Sequence, residues 1–145
     1  MALYERILVP TDGSEATDAT LSHALSIAAD HGAEVHALSV IDTRIVRSAP
    51  DDGREGVEDA LESEAASAVG SVDEEAVGAG LETRTELRRG RPDREILTYA
   101  DEEGIDLIVI GAHGKSPREK LATMGSVSER VVDGANCPVL VVRGG

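Results

Sequence analysis

Residues 111–116, GAHGKS, follow the apolar run IDLIVI and carry the Gly-Lys-Ser ending of a phosphate-binding P-loop. A P-loop has another glycine five residues before the glycine of its Gly-Lys-Ser ending, which is Gly114 here. Position 109 is Val109, and the nearest earlier glycine is Gly111, so the loop is too short for this motif. Gly111 and Gly114 still allow backbone N–H groups to approach a phosphate, because glycine has no Cβ in the way.

A second candidate phosphate contact lies at Gly125-Ser126, where the sequence predicts the start of the last helix. A helix N-terminus offers unpaired N–H donors and partial positive charge, and both favour a phosphate. The backbone from Gly125 to Ser128, with the hydroxyls of Ser126 and Ser128, is therefore a candidate cradle. The residues alone leave an alternative open, in which Gly111 closes a strand, Gly114 makes a turn and Ser126 caps a helix.

Hydrophobic periodicity predicts strands that alternate with helices along the chain. This alternation indicates an α/β fold with a parallel sheet and helices on both faces. Charged residues alternate through 81–87, which suits an edge strand, so we expect strand order 3-2-1-4-5 in one domain, residues 1–145. The predicted strands are 6–10, 34–41, 81–87, 105–110 and 138–142. The first predicted helix starts after Ser14 and ends at Gly32, the second spans 57–77, the third starts at Pro92 and ends at Gly104, and the fourth spans 126–134. Residues 42–56 are predicted to be a loop.

Ligands bind to such sheets beyond the carboxyl ends of the strands, at the point where the strand order reverses. That point lies between the first strand, which ends in VPTDGS, and the fourth, which ends in IGAHGKS. Asp12 is therefore expected opposite the glycine loop. An acidic group there is a recurring ribose contact, although Asp12 could instead be a turn residue before Gly13.

The net charge of −14 disfavours nucleic acid and anionic membranes as partners, because their phosphates need basic patches. The absence of Phe and Trp argues against a base-stacking platform. Among the 14 basic residues only Lys115 and Lys120 are lysines. This acidic, lysine-poor composition predicts a halophilic, archaeal source, in which high salt screens the charge. An ordinary acidic protein from a mesophile is the alternative.

No segment has the pattern of a membrane span or a signal peptide, so we expect a cytoplasmic protein. Cys137 is the single cysteine, which rules out an intrachain disulfide, and we expect it to be a small buried residue. His23, His31 and His36 do not cluster with cysteines or carboxylates at metal-ligand spacing, so we expect solvated or edge positions. Lys115 is the strongest candidate for a catalytic residue, but with the glycine spacing of this loop it need not reach a β- or γ-phosphate.

Four segments together resemble the universal stress protein family: ILVPTDGSEAT near the start, GAHGKS after the fourth strand, GSVSERVV at 125–132 and the closing CPVLVVR. The resemblance covers essentially the whole chain and implies a Rossmann-like fold of the adenine nucleotide alpha hydrolase type. The ATP-binding branch of the family places nine residues between the second loop glycine and Gly-Ser or Gly-Thr. Here ten residues separate Gly114 from Gly125, one more than that pattern.

Carried over by position, the resemblance implies a site for ATP, or for AMP or ADP, with Mg²⁺. Asp12 would contact the ribose or a phosphate-bound Mg²⁺, and Val40 would contact adenine through its backbone. Ile110 would flank the base or ribose, and His113 could lean toward phosphate. Pro10 and Thr11 would line the adenine side. The full set of implied nucleotide-binding residues is Pro10, Thr11, Asp12, Val40, Ile110, Gly111, His113, Gly114, Gly125, Ser126, Val127 and Ser128.

The resulting hypothesis is an ATP-binding universal stress protein that acts as a nucleotide-responsive regulatory module. We expect at most slow hydrolysis, because the sequence offers no clear base to position a water. One alternative is a stress-family homodimer that binds no nucleotide and works through protein partners, which the ten-residue spacing would favour. Another is a nucleotidyl transferase or ATP pyrophosphatase, but PTDGSEAT lacks the phosphate signatures that those enzymes carry near the first strand.

The last strand is an edge in the predicted order, yet residues 139–142 are consecutively apolar. Exposed edges are usually protected by charge, as Glu82, Arg84 and Glu86 protect the other edge. We therefore expect a homodimer in which the two copies of strand 138–142 pair antiparallel about a two-fold axis, and the resemblance implies the same. The alternative is that the preceding helix shields this strand.

Overall fold

The computed structural model describes residues 3–13, 16–113 and 124–143. Within these ranges the chain forms a parallel sheet of order β3-β2-β1-β4-β5, which confirms the predicted order. The elements in chain order are β1 (Arg6–Pro10), α1 (Ala16–His31), β2 (Glu34–Asp42), α2 (Thr43–Ser48), α3 (Arg54–Gly78), β3 (Thr83–Gly90), α4 (Pro92–Glu102), β4 (Leu107–Gly111), α5 (Ser126–Gly134) and β5 (Val139–Val142).

Side chains alternate across the central strands and divide the core into two layers. Ile7 and Val9 of β1 pack with α1 and α3, whereas Leu8 packs with α4 and α5 on the opposite face. All three are fully shielded from solvent, as expected for a strand covered on both faces. The helices α1, α3, α4 and α5 each return the chain to the amino end of the next parallel strand, so their N-termini face the carboxyl edge of the sheet. Of these, α4 and α5 share one layer.

The prediction of a loop at 42–56 is wrong in part, because the segment contains the helix α2. The Asp42 side chain accepts a hydrogen bond from the Arg44 N–H and so caps this helix. None of the α2 residues is buried, so hydrophobic periodicity could not indicate it. The long helix α3 likewise begins at Arg54, before the predicted start at position 57.

Strand boundaries differ from the predicted ones by a few residues. The third strand spans Thr83–Gly90 rather than 81–87, and it pairs with β2 as far as Gly90 opposite Asp42. The fourth spans Leu107–Gly111 rather than 105–110. Continued pairing along β2, rather than the apolar pattern of the segment itself, decides where β3 ends.

Helix ends follow the predicted glycines and proline. Gly32 and Gly104, with φ of 66° and 63°, adopt the left-handed conformation that ends α1 and α4. Pro92 occupies the first turn of α4, where its missing N–H has no helical partner to lose. Ser14, the predicted cap of the first helix, lies outside the described residues. None of the described helices combines the length and apolarity needed to cross a membrane.

The expectation of a solvated or edge position is wrong for His36. β2 lies inside the sheet, and His36 shares with Leu38 the face that packs against α4, so it is only 1% exposed. Its Nδ1 lies 2.6 Å from the Tyr99 hydroxyl, and its Nε2 lies 2.7 Å from Oε1 of Glu34. Both ring nitrogens are thus paired, as buried polar groups usually are. His23 is exposed, as expected.

Cys137 is half-buried against the layer of α4 and α5, less deeply than expected. Burial raises the pKa of its thiol, and the nearby carboxylates of Asp101 and Asp106 add to the effect. The thiol form is therefore favoured, which is consistent with a packing role.

Candidate functional site at the carboxyl edge of the sheet

The strand order reverses between β1 and β4, which pair through Ile7–Leu107 and Leu8–Ile108. The helix α1, which follows β1 in the chain, packs on one face of the sheet, and α5, which follows β4, packs on the other. The elements that follow these two neighbouring strands therefore lie on opposite faces of the sheet. Open α/β sheets use the crevice formed in this way to bind ligands.

Thr11 fixes the turn that follows β1. Its N–H donates to the Leu38 carbonyl at 2.9 Å, and its hydroxyl accepts a hydrogen bond from the Gly13 N–H at 3.2 Å. Gly13 has a φ of 78°, which lets the chain turn away from the sheet. Thr11 is buried, whereas Asp12 is exposed. The turn thus holds the Asp12 residue at the solvent side of the crevice.

α5 begins directly against the end of β4. The Gly125 N–H donates to the Ala112 carbonyl at 2.6 Å, and the Ser128 hydroxyl donates to the Gly111 carbonyl, also at 2.6 Å. The first bond within the helix runs from the Glu129 N–H to the Gly125 carbonyl at 3.0 Å. These bonds fix the start of the helix relative to the strand.

The N-terminus of α5 is capped by Gly125, which makes no side-chain capping bond. Ser126 is the first helical residue, so the alternative in which Ser126 caps the helix does not hold. The N–H groups of Val127 and Ser128 precede the first intrahelical bond and have no acceptor within the helix. Together with the helix dipole, they make this end of α5 suitable for an anion.

Two of the predicted phosphate donors are engaged elsewhere. The Gly125 N–H and the Ser128 hydroxyl both donate to backbone carbonyls at the end of β4. A phosphate could accept a hydrogen bond from either group only if that group gave up its present bond to a carbonyl. The backbone N–H groups of Val127 and Ser128 are consequently the better placed donors.

The other predicted residues lie at or near the ends of the strands and differ in burial. Pro10 and Val40 are half-buried at the ends of β1 and β2, Ile110 is buried near the end of β4, and His113 is half-buried just beyond it. Gly114 lies outside the described residues, together with most of the segment that sets the ten-residue spacing.

Sequence reasoning missed a charged corner at the same edge, formed by Asp42, Arg44, Arg91 and Asp93. Asp42 accepts two hydrogen bonds from the Arg44 guanidinium, at 3.0 Å from Nε and 2.8 Å from Nη2. Burial opposes ionisation of Asp42, but the bonds from Arg44 outweigh it and lower the pKa of the carboxyl. Across the corner, Nε of Arg91 lies 3.7 Å from Oδ1 of Asp93. An acidic residue in the first turn of a helix is so common that its spacing carried no functional signal.

Comparison with known proteins identifies the family. The family model described as "Universal stress protein family" matches residues 3–143. The chain belongs to the universal stress protein family. Universal stress protein MJ0531 of Methanocaldococcus jannaschii is 39% identical over 142 residues, which cover 97% of this chain and 83% of the relative.

Solved structures agree with this assignment. Protein MJ0577 of the same organism matches this universal stress protein with a TM-score of 0.86 at 33% identity, and the match covers 99% of both chains. A universal stress protein solved in complex with cAMP matches with a TM-score of 0.69 at 25% identity, covering 97% of this chain and 98% of the other.

Potential metal ligands do not cluster in the part of this universal stress protein that the structure describes. There, no group of three or more His, Cys, Asp or Glu side chains is placed to hold a metal ion. Asp12 supplies one exposed carboxylate at the crevice. Mg²⁺ is commonly held by one or two carboxylates together with substrate phosphates, so the residues fit a Mg²⁺ that arrives with a nucleotide.

Proposed function

We propose that this universal stress protein binds ATP, or the related AMP or ADP, in the crevice at the carboxyl edge. The phosphates lie at the N-terminus of α5, the ribose lies beside Asp12, and the adenine points toward Val40. The observation that carries the proposal is the glycine-capped start of α5, where the N–H groups of Val127 and Ser128 have no acceptor within the helix. The similar universal stress protein solved with cAMP supports an adenine nucleotide as the ligand class.

Mg²⁺ would neutralise phosphate charge, with Asp12 as its protein carboxylate. Because the proposal assigns Asp12 to the ribose or to Mg²⁺, it leaves no separate base to activate a water, and we expect at most slow hydrolysis. The protein then acts as a nucleotide-responsive regulatory module. The other proposed contacts are Pro10, Thr11, Ile110, Gly111, His113, Gly114, Gly125 and Ser126.

Isothermal titration with Mg-ATP tests the proposal through one backbone donor. Val127→Pro removes an N–H in the first helical turn, where proline is tolerated. A hydrogen bond to a charged group contributes about 1.5–3 kcal/mol, so this variant should bind ATP about tenfold or more weakly than the wild type.

Val127→Ala is the matched control, because it removes the same side chain and keeps the N–H. It should retain most of the wild-type affinity. No heat at millimolar ATP with the wild type, or an equal loss in the two variants, would contradict the proposed phosphate site.

A second candidate function is a homodimer that binds no nucleotide and acts through protein partners. The edge strand β5 favours the dimer, since Val139, Leu140 and Val141 remain half-exposed and Val132 of the preceding helix is 43% exposed. Two copies of strand 138–142 could cover each other there. Denaturing the purified protein and analysing the supernatant for released nucleotide by chromatography would separate the two functions.

The net charge of the chain supports a proposal about the salt concentration in which the protein works. We infer that the protein works in the cytoplasm of a halophilic cell, because a net charge of −14 creates self-repulsion that concentrated salt would screen. Affinity measurements therefore belong in molar KCl.

A further inference from the structure

The first turn of α5 turns one side toward the sheet. Ser128 is 4% exposed and Val131 is fully buried, whereas Ser126 and Glu129 are exposed. Residues three apart lie on the same face of a helix, so the Ser128 side chain shares the inward face with Val131. The Ser128 hydroxyl therefore lies between the helix and the sheet, in contact with the end of β4.

The only proton of the Ser128 hydroxyl is already engaged. The hydroxyl donates to the Gly111 carbonyl at 2.6 Å. Because a serine hydroxyl carries a single hydrogen, only its lone pairs are left, and a phosphate oxygen is itself an acceptor. With this bond in place, Ser128 can donate to a phosphate through its backbone N–H but not through its side chain.

The carbonyls that receive these bonds belong to a strand end that β5 holds in place. Gly111 is aligned with Val142 in the pairing of β4 and β5, and the Ala112 N–H donates to the Val142 carbonyl at 2.9 Å. The Ala112 carbonyl in turn accepts the Gly125 N–H at 2.6 Å. Two bonds, one from the Gly125 N–H and one from the Ser128 hydroxyl, thus tie the start of α5 to the sheet.

The tie from Ser128 matters because the ends of helices fray. Gly125 forms no side-chain capping bond, so the Ser128 hydroxyl supplies a side-chain anchor for this turn. The N–H groups of Val127 and Ser128, the proposed phosphate donors, lie in the same turn. Hydrogen bonds weaken steeply when the donor is misaligned, and donors that are already held in place lose less freedom on binding.

We propose that Ser128 is a positioning residue of the nucleotide site, an inference that rests on the proposed function. Its hydroxyl does not contact the nucleotide. It holds the first turn of α5 against β4, so that the N–H groups of Val127 and Ser128 meet the phosphates. One residue therefore has two tasks, with its backbone N–H assigned to the phosphate and its hydroxyl to the strand.

The same ties make the start of α5 independent of the length of the connecting segment 113–124. The Gly125 N–H and the Ala112 carbonyl are bonded to each other although this segment separates them in the chain. Closing a segment that is one residue longer costs little, because the closure entropy grows slowly with length. The ten residues between Gly114 and Gly125 therefore leave the phosphate end of the site intact.

The test compares Ser128→Thr with Ser128→Val by calorimetry with Mg-ATP in molar KCl. The two new side chains have nearly the same shape, so any crowding at this buried position affects both, and only threonine keeps the hydroxyl. Ser128→Val should bind ATP at least about fivefold more weakly than Ser128→Thr, as expected for the loss of one hydrogen bond.

Amide hydrogen exchange without nucleotide separates positioning from direct contact. The Gly125 N–H should exchange at least about fivefold faster in Ser128→Val than in Ser128→Thr. The Ile108 N–H, which donates to the Pro138 carbonyl, should exchange equally in the two. A variant that lacks Pro117 tests the independence from segment length, and its Gly125 N–H should exchange within about threefold of the wild-type rate.

Ser71→Ala is the matched control, because it removes a hydroxyl that donates to the Ser67 carbonyl on α3, away from the site. It should change neither the ATP affinity nor the exchange of Gly125.

Equal ATP affinities in the two Ser128 variants of a protein that binds ATP overturn the inference and spare the proposed function. Equal exchange at Gly125 in these variants also overturns it, since the hydroxyl would then act as a direct ligand. The inference fails as well if Ile108 accelerates as much as Gly125, because the hydroxyl would then support the whole fold. Faster exchange at Gly125 in the variant without Pro117 contradicts the independence from length. A wild type that binds no ATP overturns both proposals.

Discussion

Replacing Tyr99 with phenylalanine removes a single hydroxyl from the interface between β2 and α4. That hydroxyl lies 2.6 Å from Nδ1 of His36, and the two residues are 2% and 1% exposed. Phenylalanine keeps the ring and its apolar contacts. It also keeps the contact with the guanidinium of Arg88, which lies 4.9 Å from the ring centre. The measured loss therefore reports mainly on the hydrogen bond.

The expected magnitude follows from the burial of this bond. The variant leaves a nitrogen of His36 unpaired at a position that water does not reach. An unpaired buried polar group costs about 1–3 kcal/mol, and we expect the middle of that range, about 2 kcal/mol, to be lost from the free energy of unfolding. For a chain of this length the Tm should fall by about 4–8 °C.

Urea unfolding followed by far-ultraviolet circular dichroism at constant salt measures the change. Tyr4→Phe is the control, since Tyr4 is only half-buried and should lose little. The double variant of Tyr99→Phe with His36→Leu should cost clearly less than the sum of the single changes, because both remove the same bond. A loss below about 0.5 kcal/mol for Tyr99→Phe, or one equal to that of the control, would refute the reasoning.

Three further predictions concern pH, salt and assembly. Burial, together with the negative charges of Glu86 and Glu103, raises the pKa of Tyr99 from 10.0 to about 12 in the folded protein. The unfolded chain therefore loses this proton at a lower pH than the folded chain does. The free energy of unfolding should consequently fall as the pH rises from 10.0 toward 12. Tyr99→Phe should lack that part of the fall in urea midpoints, and an identical fall in both proteins would count against it. Because the net charge is −14, the Tm should be clearly higher in about 2 M KCl than in 0.1 M, and equal values would remove the halophilic interpretation. Light scattering after size exclusion should give twice the chain mass of 15.2 kDa, and Leu140→Pro should lower it by disturbing the β5 edge; a wild-type mass near 15.2 kDa would exclude the dimer.

The architecture could be predicted because its determinants are local and repeated. The apolar runs that become β1 and β4 are covered on both faces, whereas the charged alternation around Arg84 and Glu86 marks the edge strand β3. Together with the right-handedness of the crossovers, these patterns favour the strand order 3-2-1-4-5. The helix α2 escaped prediction because it buries no residue and depends on the cap formed by Asp42.

The candidate site could be located but not detailed from the sequence. The turn at Thr11 and the glycine at the start of α5 follow from residue type and position. The engagement of the Ser128 hydroxyl with Gly111, 17 residues away, depends on how the helix packs against the strand end. The burial of His36 depends on Tyr99, 63 residues later in the chain, and no local pattern carries that information.

The central claim is that an adenine nucleotide places its phosphates at the start of α5. Titration of ¹⁵N-labelled protein with Mg-ATP in molar KCl, observed through backbone amide resonances, tests it most directly. The account predicts saturable shifts at Val127 and Ser128 and at Thr11 across the crevice, with little change at Thr83 at the far end of the edge strand. Saturable binding that leaves the amides of Val127 and Ser128 unmoved would contradict it.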